Sequence, residues 1–417
     1  MFQTIGDESM SQTQARKRKP QSSSLRLKID VPLLLITIIL AVFGILMVYS
    51  ASWDYAIRLG EAAHYFISRQ IIFLIVGIIA AVILTFFDYH FWRTLAVPLI
   101  GLTIVLLIGV LFFGEIRNNA VRSLFGGSVQ PSELAKLVTV IYLAVWLYAK
   151  RDQLHDITLG LIPLAGILGV VGGLIFVQPD LSAFLTIFLL GGIMFFLAGG
   201  DLRQIVLLVL VAALFGWIVV AINTTGGERV QSYLAGLKDP FQASYHVRRS
   251  MEAFVKGGWL GVGIGRAETK LTGLPVPPTD SIYAVVGEET GMFGSITLVV
   301  LYTIMMWRGL IIARRAPDRL GTLLAAGLSF WLALEAYINM AVMVNLLPFA
   351  GNALPFMSAG GSNLLVSLAA IGILMNISRL SAPADGKEGN PYGAVVDLRR
   401  WNRWRRVPRS RRARSAK

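Results

Sequence analysis

Apolar residues fill most of this chain in long blocks, and the polar residues gather between them. Ten blocks read as membrane helices: 31 to 50, 70 to 87, 92 to 113, 134 to 149, 157 to 177, 181 to 198, 203 to 222, 282 to 307, 322 to 345 and 361 to 379. Most approach the length a helix needs to cross a hydrocarbon core of roughly 30 Å. The pattern therefore predicts an all-α, polytopic integral membrane protein of ten transmembrane helices. One gap, residues 223 to 281, is too long for a mere connection. Within it, "SYHVRRSMEAFVKGG" spaces Val247, Met251, Phe254 and Val255 at i, i+4, i+7 and i+8 and turns Arg248, Arg249, Glu252 and Lys256 elsewhere. That spacing predicts an interfacial helix flat on the outer surface. Its Arg pair and Lys256 either attract a phosphate-bearing lipid or simply snorkel.

Composition agrees with this class: 55% of the 417 residues are hydrophobic, mean hydropathy is +0.66 and 15% of residues are charged. Charge adds orientation. The N-terminal tail with "RKRKP", Arg93, Lys150 and Arg151, Arg203, "ARRAPDR" and the tail "RRWNRWRRVPRSRRAR" all fall on one side. The positive-inside rule makes that side cytoplasmic, with both termini on it. The expected organisation is a basic cytoplasmic tail over 1–30, a transmembrane domain over 31–380 with an extracytoplasmic loop at 223–281, and a second basic tail over 381–417. A polar first thirty residues makes the first apolar block an anchor rather than a cleaved signal. Anionic headgroups account for the net charge of +14 without nucleic acid. The absence of Cys excludes disulfides, a thiolate nucleophile and a Cys metal site. His64, His90, His155 and His246 lack ligand spacing, so no His-held metal is expected.

The other side collects "EIRNNAVRSLFGGSVQPSELAK", "VQPD", the long loop and "NLLPFAGNALPFMSAGGSN". Polar, Pro- and Gly-rich connections at membrane depth survive where they line a cavity or are buried in protein, so a site opening to the outer surface is expected. Each candidate there has two readings. Glu133 and Lys136, at i and i+3, are a structural ion pair or cavity groups. Asp180 is a helix cap or a cavity group. "GGWLGVGIGRAETK" has no βαβ context for a dinucleotide; it presents amides with Arg266 and Lys270 to an anion, or is a plain loop. No G-x-S-x-G occurs, and Ser358 and Ser362 have no His or acid nearby in sequence, which disfavours a serine nucleophile.

"PPTDSIYAVVGEETG" carries Asp280, Glu288 and Glu289, acids that are costly at membrane depth unless paired, watered or used. Thr279 or Asp280 caps a helix after two prolines, or Asp280 is a base at the cavity mouth. On a continuous helix Glu288 lies about 80° around from Asp280 and two turns deeper, sharing its cavity, while Glu289 points away.

"VYSAS", "QPSELAKL", "VQPDL", "KDPF", "GGWLGVGIG", "LPVPPTDSIYAVVGEETGMFGS" and "LPFMSAGGSNLLVSLAAIGILMNISR" occur in this order and together resemble the SEDS family of bacterial cell-wall polymerases, the FtsW, RodA and SpoVE proteins, with "MNISR" leaning toward FtsW. The likeness spans all ten blocks and omits the two tails. It implies a multi-pass plasma-membrane glycosyltransferase that polymerises lipid II, an undecaprenyl-diphosphate-linked disaccharide-pentapeptide, into glycan strands on the outer face, with inversion. It also implies a class B penicillin-binding protein as partner and a role in cell division or cell shape. The family's essential Asp follows a Thr, which places it at Asp280; other cavity positions map onto Arg69, Arg122, Glu133, Lys136, Gln178 and Asp180. Pro278, Ser281, "SAGGS" and a lone Arg122 depart from the family's usual His, aromatic, "SYGGS" and Arg pair. The expected mechanism has Asp280 as general base, with Arg122, Arg248, Arg249, Lys270 or a bound divalent cation (Mg²⁺ or Mn²⁺) stabilising the leaving diphosphate; Glu288, Ser358 and Ser362 complete the candidate binding set. The competing functions are a lipid-linked sugar flippase, a proton-coupled transporter using Glu133, Lys136 and Asp180, and a non-catalytic scaffold.

Overall fold

A computed structural model describes residues 29–117, 120–123, 130–178, 180–211 and 224–381, with backbone alone for 115–117, 120–123 and 224–226. Eight helical segments among them are long and apolar enough to cross a membrane: Val31–Arg58 (α1), Tyr65–Phe86 (α2), Tyr89–Phe113 (a short turn and then α3, Trp92–Phe113), Pro131–Ala149 (α4), Ile157–Val177 (a wide turn and then α5, Ile162–Val177), Ile282–Arg315 (α10), Arg319–Met343 (α11) and Gly361–Ser381 (α12). Two shorter apolar helices, α6 (Leu181–Leu197) and α7 (Leu202–Val211), occupy the sixth and seventh predicted blocks. The rest of the seventh block, like both tails, lies outside the described residues. Between α7 and α10 come α8 (Thr224–Lys238) and α9 (Tyr245–Gly257). This is a multi-pass helical membrane fold. Its one departure from all-α among the described residues is a small antiparallel hairpin, β1 (Glu115–Arg117) with β2 (Ala120–Ser123), between α3 and α4.

Helix starts follow local chemistry. Asp30 caps α1 by accepting from Leu33 N, Asp318 caps α11 by accepting from Gly321 N, and Asp180 caps α6 by accepting from Ala183 N. Burial sorts the bundle: 78% of the most apolar stretch of α11 is inside the protein but only 11% of that of α2. Thus α4, α11 and α12 form the centre and α2 a lipid-facing rim. Even so, α2 grips α12 through small residues, since a Cβ on Gly77 would meet Leu368 and one on Gly372 would meet the Ala81 carbonyl. Asn376 adds a polar staple, donating from Nδ2 to the Thr85 carbonyl at 2.9 Å.

The predicted span at 282 to 307 is not one helix. Gly291, at φ 68°, breaks α10 into a half-helix, Ile282–Thr290, and a spanning segment from Met292 to Arg315. Every residue from Ile282 to Glu289 is buried, whereas Phe293, Ile296 and Val300 face outward, so the two halves meet different surroundings. A Cβ at Gly291 would come within 2.5 Å of the Gly261 nitrogen and the Trp259 carbonyl oxygen, which fixes a glycine there twice over.

The interfacial reading of α9 also changes. Its buried face is Val247, Ser250, Ala253 and Gly257, and Val255 is 81% exposed. Small residues let the buried face of α9 pack on the half-helix. The crossing is closest at Gly257, where a Cβ would stand 2.1 Å from the Gly287 carbonyl oxygen. Gly257→Val is expected to push the helices apart and destabilise the fold by about 1–3 kcal/mol, as overpacking does, read as a lower thermal unfolding midpoint of the purified protein.

Contacts sort the connections into two ends. At one, Arg93 donates to Asp318 at 3.0 Å, Tyr89 donates from its hydroxyl to Asp318 at 2.9 Å, and Arg308 pairs with Asp30 at 2.6 Å. This end carries the basic connections. At the other, the segment 345–360 between α11 and α12 touches the starts of α2, α6 and α10, and Ser362 at the head of α12 accepts from the residue before α4.

Candidate active site

Asp280 stands one residue before the cap position of the half-helix, which falls to Ser281. Neither capping reading of Thr279 or Asp280 holds: Thr279 Oγ1 donates back to the Val276 carbonyl at 3.3 Å, and Ser281 Oγ donates to the Pro275 carbonyl at 2.7 Å. Asp280 is half-buried. Its turn is gripped from three directions: Ser358 Oγ donates to the Thr279 carbonyl at 2.7 Å, Asn339 Nδ2 to the Asp280 carbonyl at 2.9 Å, and Ala359 N to the Pro278 carbonyl at 2.8 Å. The carboxylate lies over Gly351, where a Cβ would come within 2.7 Å of Oδ2. A glycine there leaves the acid its room.

From Gly351 the polar contacts run two ways. Ser182 Oγ is 2.9 Å from the Gly351 carbonyl oxygen and 3.0 Å from Asp180 Oδ1, so its one proton serves either. Asp180 Oδ2 accepts from Ser132 Oγ at 3.1 Å and Gln130 Nε2 at 3.2 Å, and Gln130 N donates to Ser362 Oγ at 2.9 Å. In the other direction Asn339 Nδ2 also donates to the Asn352 carbonyl, while Asn352 Nδ2 donates to the Glu335 carbonyl at 2.9 Å. Glu335 shares the Lys136 ammonium with Glu133, which lies 2.8 Å from it, and Asn363 Nδ2 donates to Glu133 at 2.9 Å. The 345–360 segment is therefore the hub joining Asp280, Asp180, Glu133, Lys136, Ser358 and Ser362.

Several candidates have other occupations. Glu288 does not share a cavity with Asp280: fully buried, it accepts from the Glu268 and Thr269 nitrogens at 2.8 and 3.2 Å and so clamps the glycine-rich loop. Glu289 does not point away into nothing; it accepts from Lys270 Nζ at 2.7 Å and Ser50 Oγ at 2.5 Å. Lys270 is thereby spent on Glu289, buried at 4% exposure, and is not offered to an anion. Arg249 pairs with Glu252 and donates to Thr272, tying α9 to the same loop. Ser358 and Gln178 are structural too: Ser358 Oγ receives the Leu354 N–H at 2.7 Å while holding Thr279, and Gln178 Nε2 donates to the Leu107 carbonyl at 2.8 Å. Arg69 stacks over Tyr65 with its guanidinium 5.1 Å from the ring centroid, and Arg248 is exposed beside Tyr245. Arg122 belongs to β2, and its side chain lies outside the described residues.

Glu335, Asn339, Asn352, Asn363, Gln130, Ser132, Ser182 and Gly351 escaped the sequence reading. The available signal was a lone acid and an amide four residues apart inside the apolar run of α11. Among the described residues no three His, Asp or Glu side chains form a group able to hold a metal ion.

One titratable group outside the spans reports on the hub. His246 of α9 stacks on Phe349 of the 345–360 segment with centroids 4.1 Å apart, and burial, then the Arg229 charge, pushes its pKa down from 6.5 to about 4. The unfolded chain thus takes up the proton first as pH falls. His246 contributes stability that is present above about pH 6.5 and lost as pH drops toward 4. Limited proteolysis of the 224–257 region is expected to accelerate over that window, and His246→Phe to flatten the dependence.

Comparison with known proteins gives consistent matches. The FtsW, RodA and SpoVE family profile, described as "Cell cycle protein", matches residues 31–382. A Trichlorobacter lovleyi protein named "Probable peptidoglycan glycosyltransferase FtsW" is 39% identical over 365 residues, covering 86% of this chain and 96% of that protein. Stage V sporulation protein E of Bacillus subtilis is 35% identical over 358 residues, covering 84% and 97%. Among solved structures, a chain from a study of how a peptidoglycan synthase complex coordinates polymerization and crosslinking superposes with a TM-score of 0.68 at 25% identity, covering 85% of this chain and 99% of that one. The rod shape determining protein RodA of Thermus thermophilus superposes at 0.63 with 23% identity, covering 85% and 98%, and speaks for the fold alone.

Proposed function

We propose, starting from the premise that this chain belongs to the FtsW/RodA/SpoVE family of cell cycle proteins, that it is a peptidoglycan glycosyltransferase that polymerises lipid II on the outer face of a bacterial plasma membrane. The observation carrying the reading is Asp280. It is half-buried, held over Gly351, and placed at the end of the bundle opposite the basic connections. With those connections cytoplasmic, Asp280 faces outward, where a lipid-anchored sugar is available.

In this reading Asp280 takes the proton from the acceptor sugar's 4-hydroxyl as that oxygen bonds to the donor's anomeric carbon. The bond from that carbon to the lipid diphosphate breaks with inversion, and the diphosphate leaves as an anion needing no proton. Solvent then receives the proton from Asp280. The leaving charge calls for a cation. Lys270 and Arg249 are committed to Glu289 and Glu252, and exposed Arg248 is a described candidate for that contact. A class B penicillin-binding protein is the proposed partner, and cell division the proposed setting.

Purified protein supplied with lipid II is the test. Glycan polymer should form; a carrier or a scaffold would leave lipid II unpolymerised even with a co-purified class B partner.

A further inference from the structure

The Glu133–Lys136–Glu335 group poses a problem of charge that the reaction does not solve. All three side chains are buried within spans α4 and α11, and one ammonium faces two carboxylates. Ionised throughout, the group would hold a net negative charge inside a bilayer, where an uncompensated charge is far costlier than a neutral hydrogen-bonded group. Asn363 donates to both carboxylates but brings no charge.

Among the described residues, no further cation pairs with the group. Asp180, at the head of α6, is already satisfied by Gln130, Ser132, Ser182 and the Ala183 nitrogen. Tyr302, from α10, gives its hydroxyl proton to the Pro355 carbonyl. Two acceptors on α11 are left buried without a donor: Glu335 Oε2 and Asn339 Oδ1. They belong to residues four apart on α11, hence to one face of that helix, one turn from each other.

We propose that this group is a proton-binding site, in which Glu335 is a neutral carboxylic acid whose Oε2–H donates to Asn339 Oδ1. A single proton then resolves both difficulties. It cancels the excess charge, leaving Lys136 and Glu133 as a one-to-one ion pair, and it gives two orphaned oxygens one shared hydrogen bond. Glu335 Oε1 remains free to accept from Lys136 and Asn363. The proton belongs on Glu335 rather than Glu133 because the Glu335 side chain has no exposure, whereas Glu133 keeps 7%. Asn339 is oriented in consequence. With its oxygen engaged by the acid, its Nδ2 is directed at the Asp280 and Asn352 carbonyls.

The test is spectroscopic and does not depend on whether the protein polymerises lipid II. Infrared spectra of the purified full chain at neutral pH, compared with Glu335→Gln, should show a protonated-carboxyl C=O band in the wild type that the variant lacks. Gln keeps an acceptor for Lys136 and supplies an N–H toward Asn339, so its unfolding midpoint should stay close to that of the wild type. Absence of the band from the wild type overturns the proposal. So does a midpoint that falls when choline replaces Na⁺ at fixed ionic strength, because a metal cation would then be the counter-charge. Should Glu335→Gln fail to fold, wild-type protein labelled with ¹³C-glutamate serves instead: an isotope-shifted band supports the proposal, and an unshifted or missing one overturns it.

Discussion

Asp280→Asn is expected to lower the rate of lipid II polymerisation by about 10²- to 10⁴-fold, the usual worth of a positioned general base, while leaving the unfolding midpoint unchanged. The replacement is nearly isosteric, so it fits the space over Gly351. The grips of Ser358, Asn339 and Ala359 act on backbone carbonyls that any residue provides. What is lost is the ability to accept a proton. A binding role would predict the opposite split: a raised KM with kcat preserved. Activity near the wild-type rate in a folded Asp280→Asn protein would remove the base assignment.

Lys136→Met should have the largest effect on stability. It removes the cation paired with Glu133 and hydrogen-bonded to Glu335, and leaves the buried Glu133 carboxylate without its counter-charge. Breaking a buried pair by removing one partner costs about 3–5 kcal/mol. That is a large part of what holds an ordinary domain together, so the expected result is a sharp fall in the unfolding midpoint and in the yield of folded protein. Adding Glu133→Gln to Lys136→Met should recover much of the loss, because the remaining group is then neutral. Single and double variants that melt alike would contradict the charge argument.

The bundle was legible because length and hydropathy alone identify a span: nine of the ten apolar blocks recur as helices or parts of helices, as does the described part of the seventh. Where the reading failed, the cause was distance in sequence or an unseen break. The helical-wheel comparison of Asp280 with Glu288 assumed one continuous helix, but the helix begins at Ile282, so the angle between them has no meaning. Lys270 looks available in sequence because its partner, Glu289, lies 19 residues away, and the tie of Arg249 to Thr272 spans 23. In α9, bulky Met251 and Val255 suggested a lipid-facing stripe, whereas close approach to the half-helix selects Ser250, Ala253 and Gly257. Asn339, Asn352 and Asn363 carry no charge, and only Asn363 falls in a family-like motif. Their importance emerges only when three separate segments bring them together.

The most direct measurement uses the natural absence of cysteine from this chain. With Asp280→Cys as its single thiol, intact cells are treated with a membrane-impermeant maleimide. Labelling without lysis, at a level matching that of lysed cells, is the predicted result. A thiol that reacts only after lysis would place residue 280 on the cytosolic side, where no lipid-anchored sugar awaits polymerisation outside, and would contradict the account.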